Sequence, residues 1–217
     1  MMLRRMQLLL ERLYDAPVEH DVERFVFSDR KRLTAVVGAD AEHMGDEQVV
    51  LVHDEDGVRV GLFLEPDVLE RLARKDPMQA LEDGNLHDYC TALEGVSHFH
   101  YLMWSLARRR SVSLLELELQ AEVDKYASAL ALLLQQRGGA FPQALHGRLF
   151  DSVSFLPQTD LEARRRYEEA NRRAARYCRA LDERYLRSRK SRPEAWVAEL
   201  RRFFRCGHQE KVRVAGA

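Results

Sequence analysis

Cysteine is scarce in this chain, and what there is cannot staple it. Cys90, Cys178 and Cys206 are the only three. They are odd in number and widely spaced, with neither a metal-ligand spacing nor an even disulfide set. That argues against a disulfide scaffold and for a reducing cytoplasm. Long apolar runs are missing as well. The longest leucine-rich stretch, Ala127 to Leu134, falls far short of the roughly 20 residues a membrane helix needs. The opening MMLRRMQLLLERLYD is interrupted by Glu11 and Arg12 and leads to no small-residue cleavage site, so it does not read as a targeting segment. A soluble protein with no membrane partner is expected. Gly-rich phosphate loops, His-Glu-x-x-His, Gly-x-Ser-x-Gly and Cys-x-x-Cys are all missing, which argues against common nucleotide-dependent and hydrolytic enzymes.

Net charge is also nearly absent, at −1 over 217 residues, but it is unevenly placed. Residues 15–100 carry twenty acidic and eight basic side chains, whereas residues 161–205 carry fifteen basic and seven acidic. Mutual packing of the two ends explains this most simply; a basic face for an anionic partner is the sharper alternative.

Along the chain, Leu3, Met6, Leu10 and Leu13 give residues 2–14 a helical strip, and Pro17 ends it. Val22 to Phe27 has the composition of a strand. RKRLTAVV, residues 30–37, fits either a short helix or a strand. Residues 48–64 hold the clearest β signal: two apolar runs flank Glu55-Asp56-Gly57, a strong hairpin marker whose glycine supplies a positive φ. Pro66 opens a helix to Lys75, a further short helix is expected over Met78 to Glu82, and Asn85 is a natural N-cap for the long helix after it. The fold class is therefore α+β and predominantly helical. Residues 1–76 form a small antiparallel sheet with short helices, and residues 77–217 form a helical bundle.

Residues 85–137 organise the rest. They read as two long helices, the second opened by a Ser113/Glu116 capping box and closed by Gly138-Gly139. At about 100° per residue, Glu94, His98, Tyr101 and Ser105 share one stripe of an otherwise apolar helix. On the second helix Glu118 and Glu122 fall beside Leu115, Leu119 and Tyr126, pointing inward, while Glu116, Gln120 and Asp124 can face water. Beyond them, Pro142 opens a short helix to Phe150, and a Thr159/Glu162 capping box starts a long arginine-rich helix to about Arg189. A last helix begins at Pro193, with Trp196, Leu200, Phe203 and Phe204 inside. The tail from His208 is expected to be partly mobile.

The inward carboxylates have three readings. One is a buried ion-pair network with Lys125, since buried charges are normally paired. The second is a divalent metal site made by Glu94, His98, Glu118 and Glu122, whose ligand types suit iron, manganese or zinc. The third is a polar pocket for an organic ligand, joined by Tyr101 and Tyr126, in which a carboxylate beside a histidine has the perturbed pKa of an acid or base. The arginine-rich helix 161–192 raises nucleic-acid binding, yet Glu162, Glu168, Glu169, Asp182 and Glu183 are interleaved at pairing distance, so a solvated, ion-paired face is the better reading. The expected function is a soluble helical protein that binds a small-molecule or protein partner through a Glu/His core site. A metal-dependent enzyme at the same residues is the alternative.

Overall fold

The computed structural model describes residues 2–38, 45–55, 57–151, 161–187 and 192–216, and leaves aside the side chains of residues 53 and 54. Asp56 of the hairpin turn and the Thr159 cap lie outside the described residues. The chain begins with α1 (Met2–Tyr14), whose strip of Leu3, Met6, Leu10 and Leu13 is buried as its spacing requires. The strand expected over residues 22–27 is mostly a turn. Val22–Arg24 is a single 3₁₀ turn, because the Asp21 side chain accepts the Glu23 N–H and caps it. Only β1 (Val26–Phe27) is extended. RKRLTAVV resolves to α2 (Arg30–Val37), with Asp29 as N-cap.

β2 (Glu47–Asp54) and β3 (Gly57–Leu64) form the antiparallel hairpin, and Gly57 takes φ +132° as the turn demands. The sheet as a whole is mixed. β1 adds to the other edge of β3 in parallel, Val26 opposite Leu62 and Phe27 opposite Phe63, giving the order β1-β3-β2. A parallel neighbour arises because β1 reaches β3 by way of α2 and β2, a crossover instead of a tight turn.

α3 (Pro66–Arg74) comes next. Residues 77–79 then make a turn in place of the expected short helix. α4 (Asp83–Leu106) starts three residues earlier than an N-cap at Asn85 implies, and Asn85 sits inside it, its side chain accepting the Glu82 N–H at 2.8 Å. α5 (Leu114–Gln136) is capped by Ser113, which accepts the Glu116 N–H, and ends at Gly138 and Gly139, both at positive φ. α6 (Leu145–Phe150), α7 (Leu161–Leu181), a π-helical turn over Asp182–Leu186, α8 (Pro193–Arg205) and α9 (His208–Val214) complete the chain. The tail is therefore helical, not loose: Lys211 and Ala215 are buried beneath it.

α4 is the axis. It packs on α1, α3, α5 and both hairpin strands, while α5 also packs on α7, α6 and α9. With neighbours on both sides, α5 has no water-facing stripe at Glu116, Gln120 and Asp124, all of which are buried. That corrects the expectation that these three face water, since helical phase describes one helix and not what surrounds it. No helix among the described residues is long and apolar enough to cross a membrane.

α4 meets the sheet at Gly95. A Cβ there would lie 2.5 Å from Leu62 Cδ1 and 2.6 Å from Glu47 Oε2. Alanine would gain about 1 kcal/mol of helix propensity, but overpacking of this kind costs about 1–3 kcal/mol. Gly95→Ala is expected to be net destabilising by about 1 kcal/mol in urea unfolding, and to displace Glu47. A stabilised Gly95→Ala protein contradicts this close packing.

Candidate functional site

The Gly95 contact matters because Glu47, at the start of β2, leans over it toward α4. His98 stands three residues beyond Gly95, just under a full turn, and four residues from Glu94, so the imidazole and the Glu94 carboxylate share a face. Glu118 and Glu122, also four apart, face them from α5. The His98 ring lies between two acids, with Nδ1 3.6 Å from Glu47 Oε1 and Nε2 3.5 Å from Glu118 Oε2. Both distances exceed the roughly 2.7–3.2 Å of a good hydrogen bond. Nε2 and Glu47 Oε2 are buried without a hydrogen-bond partner among the described residues. One ligand atom each from Glu94, His98 and Glu118 lies within 4.8 Å of the others.

Two fixed cations border this group. Lys125 Nζ donates to Glu94 at 2.9 Å and to Glu122 at 2.7 Å. Arg166, from α7, brings Nε to 3.8 Å from Glu118 Oε1. The histidine and Glu118 side chains are 8% and 9% exposed and Glu94 is 23% exposed, so the cluster is a buried site with one wetter edge.

Burial and pairing pull the ionisations in opposite directions. Burial alone would lower the His98 pKa, but Glu118 and Glu47 on either side raise it well above the usual histidine value. Burial would raise Glu94, yet Lys125 and His98 hold it below the usual range. For Glu47 and Glu122 burial prevails and the pKa is raised, against the pull of His98 and Lys125 respectively. Lys125 is raised well above the ordinary lysine value, because Glu122 and Glu94 outweigh its desolvation. Cys90 nearby is pushed up to about 12 by burial, which keeps it a thiol.

Tyr101 and Tyr126 lie in other networks. Tyr101 donates to Glu116 at 2.5 Å, and Arg110 donates to the same Tyr101 oxygen at 3.1 Å. Tyr126 donates to Asp182 in the π-helical turn and packs beside His146 and Phe150. Glu94, His98, Glu118 and Glu122 are brought together, then, and the two tyrosines are not.

A second buried polar group lies along the other side of α5. Asp124 accepts from Tyr14, from Ser97 at 2.6 Å and from Gln120 at 2.6 Å, and Lys211 of α9 donates to Gln120. The Lys211 ammonium sits 4.3 Å above the Tyr101 ring and 4.8 Å above that of Phe203. Three donors on Asp124 and a ring cage around Lys211 satisfy these groups locally.

Sequence reasoning missed Glu47 and Arg166. A single acid at a strand start carries no periodic signal. Arg166 is one of many arginines on α7, where others pair along the helix, Arg164 with Glu168 at 2.9 Å and Arg173 with Glu169 at 2.5 Å. Its distinguishing trait is spatial: it faces α5. No family model, curated protein or solved structure matches the chain.

Proposed function

We propose that this protein binds a divalent metal ion through Glu94, His98 and Glu118, with Glu47 orienting the imidazole from behind. The observation that carries this reading is the buried His98 Nε2, which makes no hydrogen bond among the described residues and stands 3.5 Å from the Glu118 carboxylate. That separation matches the edge of a coordination polyhedron, about 3.4 Å for ligands at about 2.1 Å from a tetrahedral ion. A histidine ligand generally gives its second nitrogen to a carboxylate, and Glu47 stands on that side of the ring. Charge favours the same reading. Counted as ionised, Glu47, Glu94, Glu118 and Glu122 leave two negative charges beyond Lys125 and Arg166; the proton on His98 offsets one of them, and a divalent ion that displaces this proton would balance both. Drawing Glu94 in asks for a side-chain rotation at the wetter edge of the cluster.

Mixed carboxylate and imidazole donors suit manganese, iron or zinc. Three protein ligands leave positions for water or substrate, the pattern of catalytic more than structural sites. A bound ion there would polarise a substrate oxygen or acidify a water. The ligand-binding role expected of the Glu/His core takes this form. The three free thiols fit a reducing, cytoplasmic setting.

One observation favours a second reading, a purely structural ion network: Lys125 holds Glu94 and Glu122 at close hydrogen-bond distance. Thermal unfolding after chelator treatment separates the two. Zinc or manganese at about 100 times Kd is expected to stabilise the protein by about 2.7 kcal/mol, and His98→Ala and Glu118→Gln are expected to abolish that gain. Unchanged unfolding with every first-row divalent ion would leave the structural network standing alone.

A further inference from the structure

A shallow, solvent-open groove of about 560 Å³ runs between the N-terminal turn of α5 and the first turns of α7, lined by Leu114, Leu115, Glu162, Arg165, Arg166 and Glu169. Glu118 lies one helical turn along from Leu114 and Leu115, so the groove ends against the cluster, and Arg166 belongs to both. Resting on the metal reading above, we infer that this groove receives an amphipathic monocarboxylate, its head group on Arg165 and Arg166 beside the metal and its aliphatic chain on Leu114 and Leu115.

Three observations carry this. Arg166 Nε is buried with no hydrogen-bond partner among the described residues, and its nearest acid atom, Glu118 Oε1, is 3.8 Å away, beyond hydrogen-bond reach. A donor in that state is completed by an incoming acceptor, and guanidinium and carboxylate match as planar forks. Arg165, exposed on the same wall, forms no ion pair or hydrogen bond with any described residue. Leu114, 60% exposed, and the half-buried Leu115 lie side by side on the groove wall and supply its apolar contact.

The flanking acids limit the ligand's charge. Glu169 is committed to Arg172 and Arg173, but it and Glu162 still border the groove, and a dianionic phosphate would meet them at close range. A single negative charge is the better complement. The other cavity, about 460 Å³ beside the start of α4, has Glu82 and Asp83 on its wall, and its Arg148 is already paired with Asp83. Its other arginine, Arg137, is exposed, and no buried donor without a hydrogen-bond partner among the described residues lines that cavity as Arg166 lines the groove.

Calorimetric titration of hexanoate into zinc-loaded full-length protein tests this, with hexylamine and inorganic phosphate as comparison ligands. Saturable hexanoate binding is expected, weakened at least tenfold by Arg165→Ala and by Arg166→Gln, with zinc affinity within twofold of wild type in Arg165→Ala. Arg137→Ala, at the other cavity, is expected to change neither. Zinc binding without hexanoate binding overturns the inference and leaves the metal site in place. Hexanoate binding by a chain that takes up no zinc keeps the groove and removes the metal from it. Tighter binding of phosphate or hexylamine than of hexanoate overturns the ligand class.

Discussion

Lys125→Ala is expected to destabilise the chelator-treated protein by about 3–5 kcal/mol, the usual cost of removing one partner from a buried ion pair. Its side chain is 14% exposed and its ammonium is shared by Glu94 and Glu122, so truncation leaves two carboxylates facing each other away from bulk water. The effect has a second part. Saturating zinc is expected to restore some of the loss, because a divalent ion at Glu94 replaces the missing positive charge. Urea unfolding with and without zinc measures both. A loss below about 1 kcal/mol contradicts the buried geometry, and a full loss with no recovery by zinc contradicts a metal at Glu94.

Lys211 yields the other large effect, and here pH is the variable. Burial lowers its pKa from 10.5 to about 7, with Arg110 adding to the fall, while Glu116 and Asp124 act in the opposite direction. Below about pH 7 the lysine is charged in both folded and unfolded chains, and its burial penalty is fully felt. Between pH 7 and 10.5 the unfolded chain holds a proton that the folded chain has released, so stability rises with pH across that window. At about 1.4 kcal/mol per pH unit, the wild type is expected to gain on Lys211→Met by about 3–5 kcal/mol between pH 7 and 10.5. The groups facing Lys211 are Tyr101, Arg110, Glu116, Gln120, Asp124, Phe203, Phe204 and Cys206. Burial raises Asp124 to about 6, at the foot of that window, and raises the Cys206 thiol above its ordinary value. A flat difference between the two proteins across that range means that the ammonium is hydrated and α9 does not seal it.

What the sequence disclosed depended on how local each signal was. The hairpin was legible because Asp56-Gly57 between alternating apolar runs is a short-range code, and α5 because Ser113 and Gly138 mark its ends. The inward turn of Glu118 and Glu122 was legible from helical phase alone. The burial of Glu116, Gln120 and Asp124 was not, because it results from helices packed on both sides of α5. α9 is hidden for a related reason: a short polar tail reads as loose unless one knows that Lys211 reaches Gln120. Residues 22–27 misled because β-branched and aromatic content signals a strand, while one Asp21 side chain suffices to turn the backbone. Glu47 and Arg166 enter the site from a strand end and a crowded helix, where only the tertiary arrangement singles them out.

The most direct measurement is metal content after equilibrium dialysis against micromolar zinc or manganese, compared across variants. About one equivalent per chain is expected in the wild type and in Tyr101→Phe. His98→Ala and Glu118→Gln, if folded by circular dichroism, are expected to retain less than a tenth of that. Equal metal content in wild type and His98→Ala, or none in either, would contradict a coordination site at this imidazole.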